Sequence, residues 1–355
     1  MIRISSFPNP FIGNPYLKML YQSLGEHGVM YVPSAHLGQS WLREMRGKID
    51  FIHLHWPGYS YENNQKRISI WLLINFIARI WFGRLLGYRF LWTVHNLFPH
   101  DRQRGVLAWV ARFLVVHSVN IILVNFDTAK DDIARLFLRR KRVHVVPHGN
   151  YRLVYPEIPS QALARERLGI ESGTRNFILF GGINPYKGAH AAIEAFKQLK
   201  ETDLRLYIVG QCLQPSYQKL LTKLSNDDNR IRLNLGKDDL PDIKVVDWIA
   251  STDVVLAPYR EVYTSGVLHL ATTFGKPIVA PQQGVFKTLN REAFAYIYSF
   301  EEEKQMLPNK MIAAICQFQD QAVAKSAKIF ADRHDWSFIA KDLTIILQES
   351  LRIAK

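Results

Sequence analysis

Short runs of β-branched and aromatic residues alternate with stretches of helical apolar spacing along the whole chain, and this rhythm restricts the fold more than any other feature. Strands separated by helices make parallel βαβ units, which excludes sandwiches, meanders and helix bundles. In the first half, strands are predicted over residues 2–5, 50–54, 89–94, 119–124 and 143–146, with helices over 15–26, 65–82, 106–117 and 128–137. Residues 151–159, YRLVYPEIP, hold two prolines and no periodicity, and a linker is placed there. The rhythm then restarts, with strands over 176–180, 204–209, 231–234, 254–257 and 277–280 and helices over 190–199, 216–224, 243–250 and 266–273. Residues 322–353 have helical spacing broken around His334 and Asp335, which predicts two consecutive helices, the last free to pack back on the first domain. A chain of 355 residues has the length of about two domains, and two domains create a cleft that can bind a ligand.

Composition supports a globular protein: 48% of residues are hydrophobic and 21% charged, which rules out collagen-like, coiled-coil and disordered classes. Cys212 and Cys316 stand far apart with no metal-ligand spacing, so neither a disulfide framework nor a zinc site is expected, and a reducing compartment fits. The opening MIRISSFPNPF has no continuous apolar segment before its prolines, so no cleaved export signal is expected. The most apolar stretch, residues 68–82, contains Asn75 and Arg79 and is short of the roughly 20 residues needed to span a bilayer.

The formal net charge of +14 is unevenly shared: residues 1–155 carry 20 Lys and Arg against 8 Asp and Glu, and residues 156–355 carry 25 against 23. Such asymmetry points to a polyanionic partner for the first half, either nucleic acid or an anionic membrane surface. Residues 71–89, WLLINFIARIWFGRLLGYR, interleave aromatics with Arg79, Arg84 and Arg89, and residues 139–142 read RRKR. Tryptophan and arginine beside apolar residues suit a headgroup region, where anionic lipid attracts each charge by about 1 kcal/mol. The same stretch also reads as a buried core helix with only its arginines exposed.

Two segments of the second half carry candidate chemistry. Residues 180–188, FGGINPYKG, follow a strand and precede a helix, so the glycines, Gly182 among them, let backbone approach a ligand while Lys187 adds charge at a helix start. The segment is not a Walker loop, because Gly188 follows the lysine; alone, it fits a glycine-rich turn as well as a phosphate site. Residues 258–270, PYREVYTSGVLHL, repeat the strand-loop-helix arrangement, with Thr264, Ser265 and Gly266 offering a hydroxyl and open N–H groups; alone, Ser265 reads as an N-cap. Together the two suggest a diphosphate, as carried by a nucleotide.

With FGGINPYKGAHAAIEAF, LYIVGQ, LPDIKVVDWIASTDVVLAPY and TSGVLHLATTFGKPIVA in that order and spacing, the second half resembles the nucleotide-sugar-binding domain of GT-B fold glycosyltransferases, especially the family 4-like enzymes of bacterial exopolysaccharide and cell-surface glycan synthesis. In the first half, FIGNPY, IHLHWP and TVHNLFPHD resemble that family's cleft-facing loops. The resemblance implies an α/β fold of two Rossmann-like doubly wound domains facing a cleft, residues 1–155 with a returning helix at 336–355, and a donor domain at 156–335. It implies that Lys187 neutralises the donor diphosphate and that the amides of Thr264, Ser265 and Gly266 hold the distal phosphate. It also places the nucleoside at Gly210 and at residues 236–238, including Gly236 and Lys237, and has Gly13 and Asn14 close over the donor. Two departures stand out: the family's paired glutamates are replaced by Val262 and Leu270, and its second basic residue is missing, with Gly182 and Asn184 in its usual places. Arg260 is the candidate substitute.

The first half supplies candidates for acid–base work. His53 and His55 share one face at a strand end, with no third ligand nearby, and are assigned a structural or cleft-lining role. His95 lies just past a strand end, where doubly wound sheets bind ligands, and is assigned to a sugar hydroxyl. Asp101 is the leading carboxylate for taking the acceptor proton, with Glu62 behind it. The reading is a metal-independent transferase without cofactor, moving a sugar from a UDP- or GDP-type donor to a lipid-linked or other glycan acceptor. It is expected in the cytoplasm, peripheral at the inner face of the plasma membrane, with no nucleic acid as partner. The alternatives are a nucleic-acid-binding protein using the basic half, a nucleotide-sugar epimerase, and a non-catalytic homologue of the same fold.

Overall fold

The computed structural model describes all residues except 10–14, 35, 64, 66, 99–104, 239 and 353–355. The chain divides into two compact units, Met1–Gly149 with His334–Lys355, and Asn150–Arg333. The first unit runs through β1 (Ile2–Phe7), α1 (Pro15–Glu26), β2 (Val29–Tyr31), α2 (Gln39–Glu44), β3 (Phe51–Leu54), α3 (Ile70–Leu85), β4 (Arg89–Thr93), α4 (Val106–Ser118), β5 (Ile121–Val124), α5 (Thr128–Phe137) and β6 (Val143–Val145). The second holds α6 (Gln161–Leu168), β7 (Arg175–Phe180), α7 (Ala189–Phe196), β8 (Leu204–Gln211), α8 (Pro215–Ser225), β9 (Ile231–Gly236), α9 (Asp242–Ser251), β10 (Val254–Leu256), α10 (Gly266–Thr273), β11 (Ile278–Pro281), β12 (Ala295–Tyr298), α11 (Glu303–Gln317) and α12 (Gln321–Arg333). The chain then returns to the first unit as α13 (Trp336–Arg352), which packs on α1.

Each unit is built on a six-stranded sheet, ordered β2-β1-β3-β4-β5-β6 in the first and β12-β11-β10-β7-β8-β9 in the second, with the named neighbours parallel. Helices on both faces explain why β3, β5 and β11 are buried at every position; β5 and β11 read as continuous apolar runs, and β3 is broken only by His53. In each unit the chain starts on an inner strand, so the order of addition reverses beside it, between β1 and β3 and again between β7 and β10. Loops leaving the C-terminal ends of two strands at such a reversal diverge and leave room for a ligand.

Several expected boundaries move, each for a local reason. The helix expected at 65–82 starts at Ile70, because Asn63 Oδ1 accepts from the Gln65 and Arg67 N–H groups to form a turn and Ser69 caps the helix by accepting from Leu72. Residues 150–155, grouped above with the first half, hydrogen-bond inside the second unit: Asn150 Nδ2 to the Ala331 carbonyl, and the Tyr151 N–H to Thr273 Oγ1. Lys276, in the GKP run, is spent on structure, donating to the Ala250 and Thr252 carbonyls at the end of α9.

Candidate active site

In the second unit, the loops after the adjacent strands β7 and β10 lie against each other. Gly181 leaves β7 at φ +109, and the chain passes through a short 3-10 helix at Pro185–Lys187 to Gly188 at φ +72, where α7 begins. A Cβ on Gly188 would overlap the Pro258 carbonyl, so only glycine permits this approach. The Arg260 N–H donates to the Tyr186 carbonyl at 2.7 Å, and Lys187 Nζ donates to the Tyr259 hydroxyl at 2.9 Å. The same ammonium stands 4.1 Å from the Tyr259 ring centroid and 5.6 Å from that of Tyr186. Among the described residues no carboxylate pairs with it, and burial lowers its pKa. A desolvated ammonium held only by rings and one hydroxyl is short of an anion.

Arg260 is fixed rather than loose at the surface. It forms an ion pair with the buried Glu303 at 2.5 Å, lies over the Phe300 ring at 5.5 Å, and approaches His190 Nε2 at 3.3 Å. Glu303 also accepts from the Tyr298 hydroxyl at 3.1 Å. Burial, and then Arg260, lower the pKa of His190, so its Nε2 accepts from the guanidinium and its Nδ1–H faces the Tyr217 hydroxyl at 3.0 Å. Ser265 is the N-cap of α10: its side chain accepts from the Leu268 N–H at 3.3 Å. Its hydroxyl therefore serves the helix, while the N–H groups of the first turn have no partner within it. The Val285 N–H, donating to the Tyr263 carbonyl, and Gly284, where a Cβ would overlap the Val262 carbonyl, hold this loop from below.

The positions expected beside a nucleoside adjoin each other. Gly210, at φ +140, presses on the Gly181 carbonyl where a Cβ would overlap it, and Gln211 Nε2 donates to the Lys237 carbonyl at 2.9 Å. Gly182 and Gly236 have room for a side chain, so the steric need for glycine falls on Gly188 and Gly210, while Gly181 needs it for its positive φ alone. Leu270 is buried on the core side of α10, and the acid held beside this loop is Glu303. Sequence reasoning named Gly182 rather than its neighbour Gly181, and missed Tyr259, His190 and Glu303. The paired glycines of FGG offered a signal for the first; the others become visible only when distant segments meet.

In the first unit, the ends of β3 and β4 bring His53, His55 and His95 into one buried chain. His53 Nε2 meets Thr93 Oγ1 at 2.8 Å, the Tyr21 hydroxyl meets His53 Nδ1 at 2.8 Å and His55 Nε2 at 2.9 Å, and His55 Nδ1 meets His95 Nε2 at 3.1 Å. Trp56 stacks on His95 with ring centroids 4.6 Å apart, and Tyr16 meets it edge-on at 5.0 Å. Burial pushes His53 and His55 well below their ordinary pKa, His95 down to about 3 and His148, which packs on Tyr16, down to about 4. All four rings are neutral at pH 7. The candidates Gly13, Asn14 and Asp101 lie outside the described residues.

Two doubly wound parallel sheets with this pair of loops are the architecture of the GT-B fold, and residues 174–317, inside the second unit, match the family described as glycosyl transferases group 1. Among similar proteins, a GDP-mannose:glycolipid 4-beta-D-mannosyltransferase of Xanthomonas campestris pv. campestris is 26% identical over 274 residues, 76% of this chain and 70% of that protein. Among solved structures, Anabaena HepE in complex with UDP has a TM-score of 0.75 at 17% identity, covering 98% of this chain and 100% of that one. Sucrose-phosphate synthase from Thermosynechococcus elongatus also has a TM-score of 0.75, at 16% identity and 100% coverage of both chains. WaaG, a glycosyltransferase involved in lipopolysaccharide biosynthesis, has a TM-score of 0.65 at 15% identity, covering 98% of this chain and 99% of that one.

Proposed function

We propose that the protein transfers a sugar from a nucleoside diphosphate donor to a lipid-linked glycan at the cytoplasmic face of a membrane, with Lys187 and the N-terminus of α10 holding the diphosphate without a metal. The observation that carries this reading is Lys187, a desolvated cation without a carboxylate partner among the described residues, set where the strand order reverses. Negative charge grows on the diphosphate as the glycosidic bond breaks, so positive charge fixed in advance stabilises the transition state more than the ground state. The Xanthomonas relative is named for GDP-mannose and a glycolipid, and HepE is known with UDP-glucose, so these are the first donors to try. Arg260 supplies the second positive charge, tempered by Glu303. On the acceptor side, neutral His95 meets a sugar hydroxyl and Asp101 takes the acceptor proton; Asp101→Asn would then abolish turnover while leaving donor binding intact.

Membrane attachment is supported by α3 and α4. No helix of the described residues is long and apolar enough to cross a membrane. Yet Ile70, Trp71, Ile74, Trp81 and Leu85 on α3, with Val106, Leu107 and Trp109 on α4, are exposed, and Arg140, Lys141 and Arg142 are exposed in the same unit. Apolar side chains and cations exposed together fit an anionic lipid surface.

Thermal-shift titration with GDP, UDP, ADP and their sugar conjugates tests the donor reading. A ligand present at about 100 times its Kd adds about 2.7 kcal/mol to stability. One nucleotide is expected to raise the melting temperature equally with and without EDTA, and Lys187→Ala to remove the shift. If no nucleotide stabilises the wild type, the assignment fails.

A further inference from the structure

On α4 the inward positions Ala111, Val115 and Val116 are apolar, and Arg112 lies on the same stripe, only 6% exposed. Arg79, Arg84 and Arg139 of the same unit each donate to a backbone carbonyl. Arg112 differs: its Nε and Nη1 are enclosed without a hydrogen-bond partner, and among the described residues no carboxylate forms an ion pair with it. The guanidinium lies over the Trp92 ring, with Cζ 5.4 Å from the centroid, and the Trp92 indole Nε1 is enclosed and unpartnered as well. The ring face attracts the cation, yet an indole N–H is a donor like those of the guanidinium, so neither side chain satisfies the other's hydrogen bonds. Burying such a group of donors and a charge is costly unless an acceptor of opposite sign joins them. An oxyanion satisfies the charge and the N–H groups at once; a water molecule satisfies only the N–H groups.

Trp92 stands at the C-terminal end of β4, and the chain leaving the same end of the neighbouring β3 turns through a short 3-10 helix at Pro57–Ser60. In that turn, a Cβ on Gly58 would stand 4.0 Å from Arg112 Nη2 and 3.0 Å from Glu62 Oε1, so the guanidinium reaches the loop beside the reversal between β1 and β3, where ligands of doubly wound sheets bind. We propose that Arg112, with the Trp92 indole, is an oxyanion site of the first unit, taking a phosphate or carboxylate group carried by the acceptor. This deepens the reading of the acceptor side given above and rests on it. Nη2 is not enclosed with the other two nitrogens and is the one nearest Gly58, so the anion meets it first and takes Nε as its second donor. Those two nitrogens form the planar fork that matches a pair of carboxylate or phosphate oxygens.

The test is 15N NMR of the full-length protein, following the Arg112 Nε–H and Trp92 Nε1–H signals, assigned through Arg112→Lys and Trp92→Phe. Three probes share one sugar ring: galactose, galacturonate and galactose 6-phosphate. The charged probes are expected to move both signals and galactose to leave them in place; the one that acts at lower concentration tells whether carboxylate or phosphate is the group. Lys187→Ala is expected to keep this response, since that cation belongs to the other unit. Arg112→Met is expected to abolish the Trp92 response and to leave the nucleotide-induced thermal shift unchanged. Its urea midpoint should equal or exceed that of the wild type, because an apolar side chain relieves the buried charge. Arg112→Lys, which keeps the charge without the fork, should weaken the Trp92 response. In transfer assays Arg112→Met is expected to raise KM for the acceptor about tenfold or more, as for a lost charge-assisted hydrogen bond, at unchanged KM for the donor. If neither charged probe moves the signals, or if Arg112→Met is less stable than the wild type, the guanidinium is a structural group and the proposal is overturned. Signals that respond while KM for the acceptor stays unchanged would overturn the assignment of the anion to the acceptor. Absence of transfer by the wild type from every donor tried would sink the glycosyl-transfer reading alone, and the probe titrations would still decide the anion site.

Discussion

Gly188 is the residue on which the second unit's loop pair depends most directly. Its φ of +72 is a conformation that costs a side chain about 1–2 kcal/mol, and a Cβ would also overlap a backbone carbonyl that has no rotamer with which to move away. Gly188→Ala is therefore expected to lose more than about 2 kcal/mol in urea denaturation and to push the Lys187 loop off the Arg260 loop, weakening nucleotide binding as well. Gly182→Ala, where nothing but Asn184 comes near, should be close to neutral in stability; equal losses at both positions would contradict this account. Lys187 was legible in the sequence because glycines, a proline and a lysine between a strand and a helix form a local pattern. Its hydroxyl partner Tyr259 and the Arg260–Glu303 pair were not, since they join segments that meet only after folding. In the first unit the two-residue spacing of His53 and His55 put both rings on one face, but nothing local pointed to Tyr21 as the group between them.

At the scale of elements, α3 shows how one helix can satisfy two readings of its sequence. Leu73, Phe76, Ile80 and Gly83 face the core, with Gly83 pressed on Phe90, while Ile70, Ile74, Trp81 and Leu85 make a second apolar stripe that is exposed. The arginines do not all face outward as the charge pattern suggested. Arg84 donates to the Ser118 carbonyl, and Arg139 to the carbonyls of Val116, Val119 and Asn120, so both are spent at the C-terminal end of α4. Arg79 likewise donates to the Leu37 carbonyl. On the proposal of membrane attachment, that leaves the apolar stripe as the main contact. Trp71→Ser with Leu85→Ser is accordingly expected to release the protein from anionic vesicles in a flotation assay at unchanged nucleotide affinity. Arg139→Ala should instead act through stability. Retention of the double variant on vesicles would exclude α3 as the contact. Elements that escaped the sequence reading were short or lacked a period: β2 has three residues, β12 alternates over four, α6 has eight residues of which three are charged, and Pro308 lies inside α11.

For the whole molecule, the two units differ in how they should respond to acid. The long parallel rhythm made both sheets legible, but the first unit conceals a cost that composition does not reveal: His53, His55, His95 and His148 are all buried and neutral. Their pKa values are lowered in the folded chain and return to about 6.5 when it unfolds, so below that pH the unfolded state binds more protons. The stability they permit is complete above pH 6.5 and is lost progressively as pH falls toward about 4 for His148 and about 3 for His95. Each proton gained on unfolding steepens the loss by up to about 1.4 kcal/mol per pH unit, and the four histidines act in the same direction. The salt-bridged carboxylates, such as Asp203 and Asp228, titrate below their ordinary value near 3.8 and do not overlap this window. Hydrogen exchange across pH 7.5 to 5 is thus expected to show protection falling first in β3, β4 and α1, around the histidines, while β7 and β8 of the second unit hold. A stability profile flat down to pH 5, or loss beginning in the second unit, would mean that the rings are not held neutral, and the hydrogen-bonded chain from Thr93 to His95 would have to be redrawn.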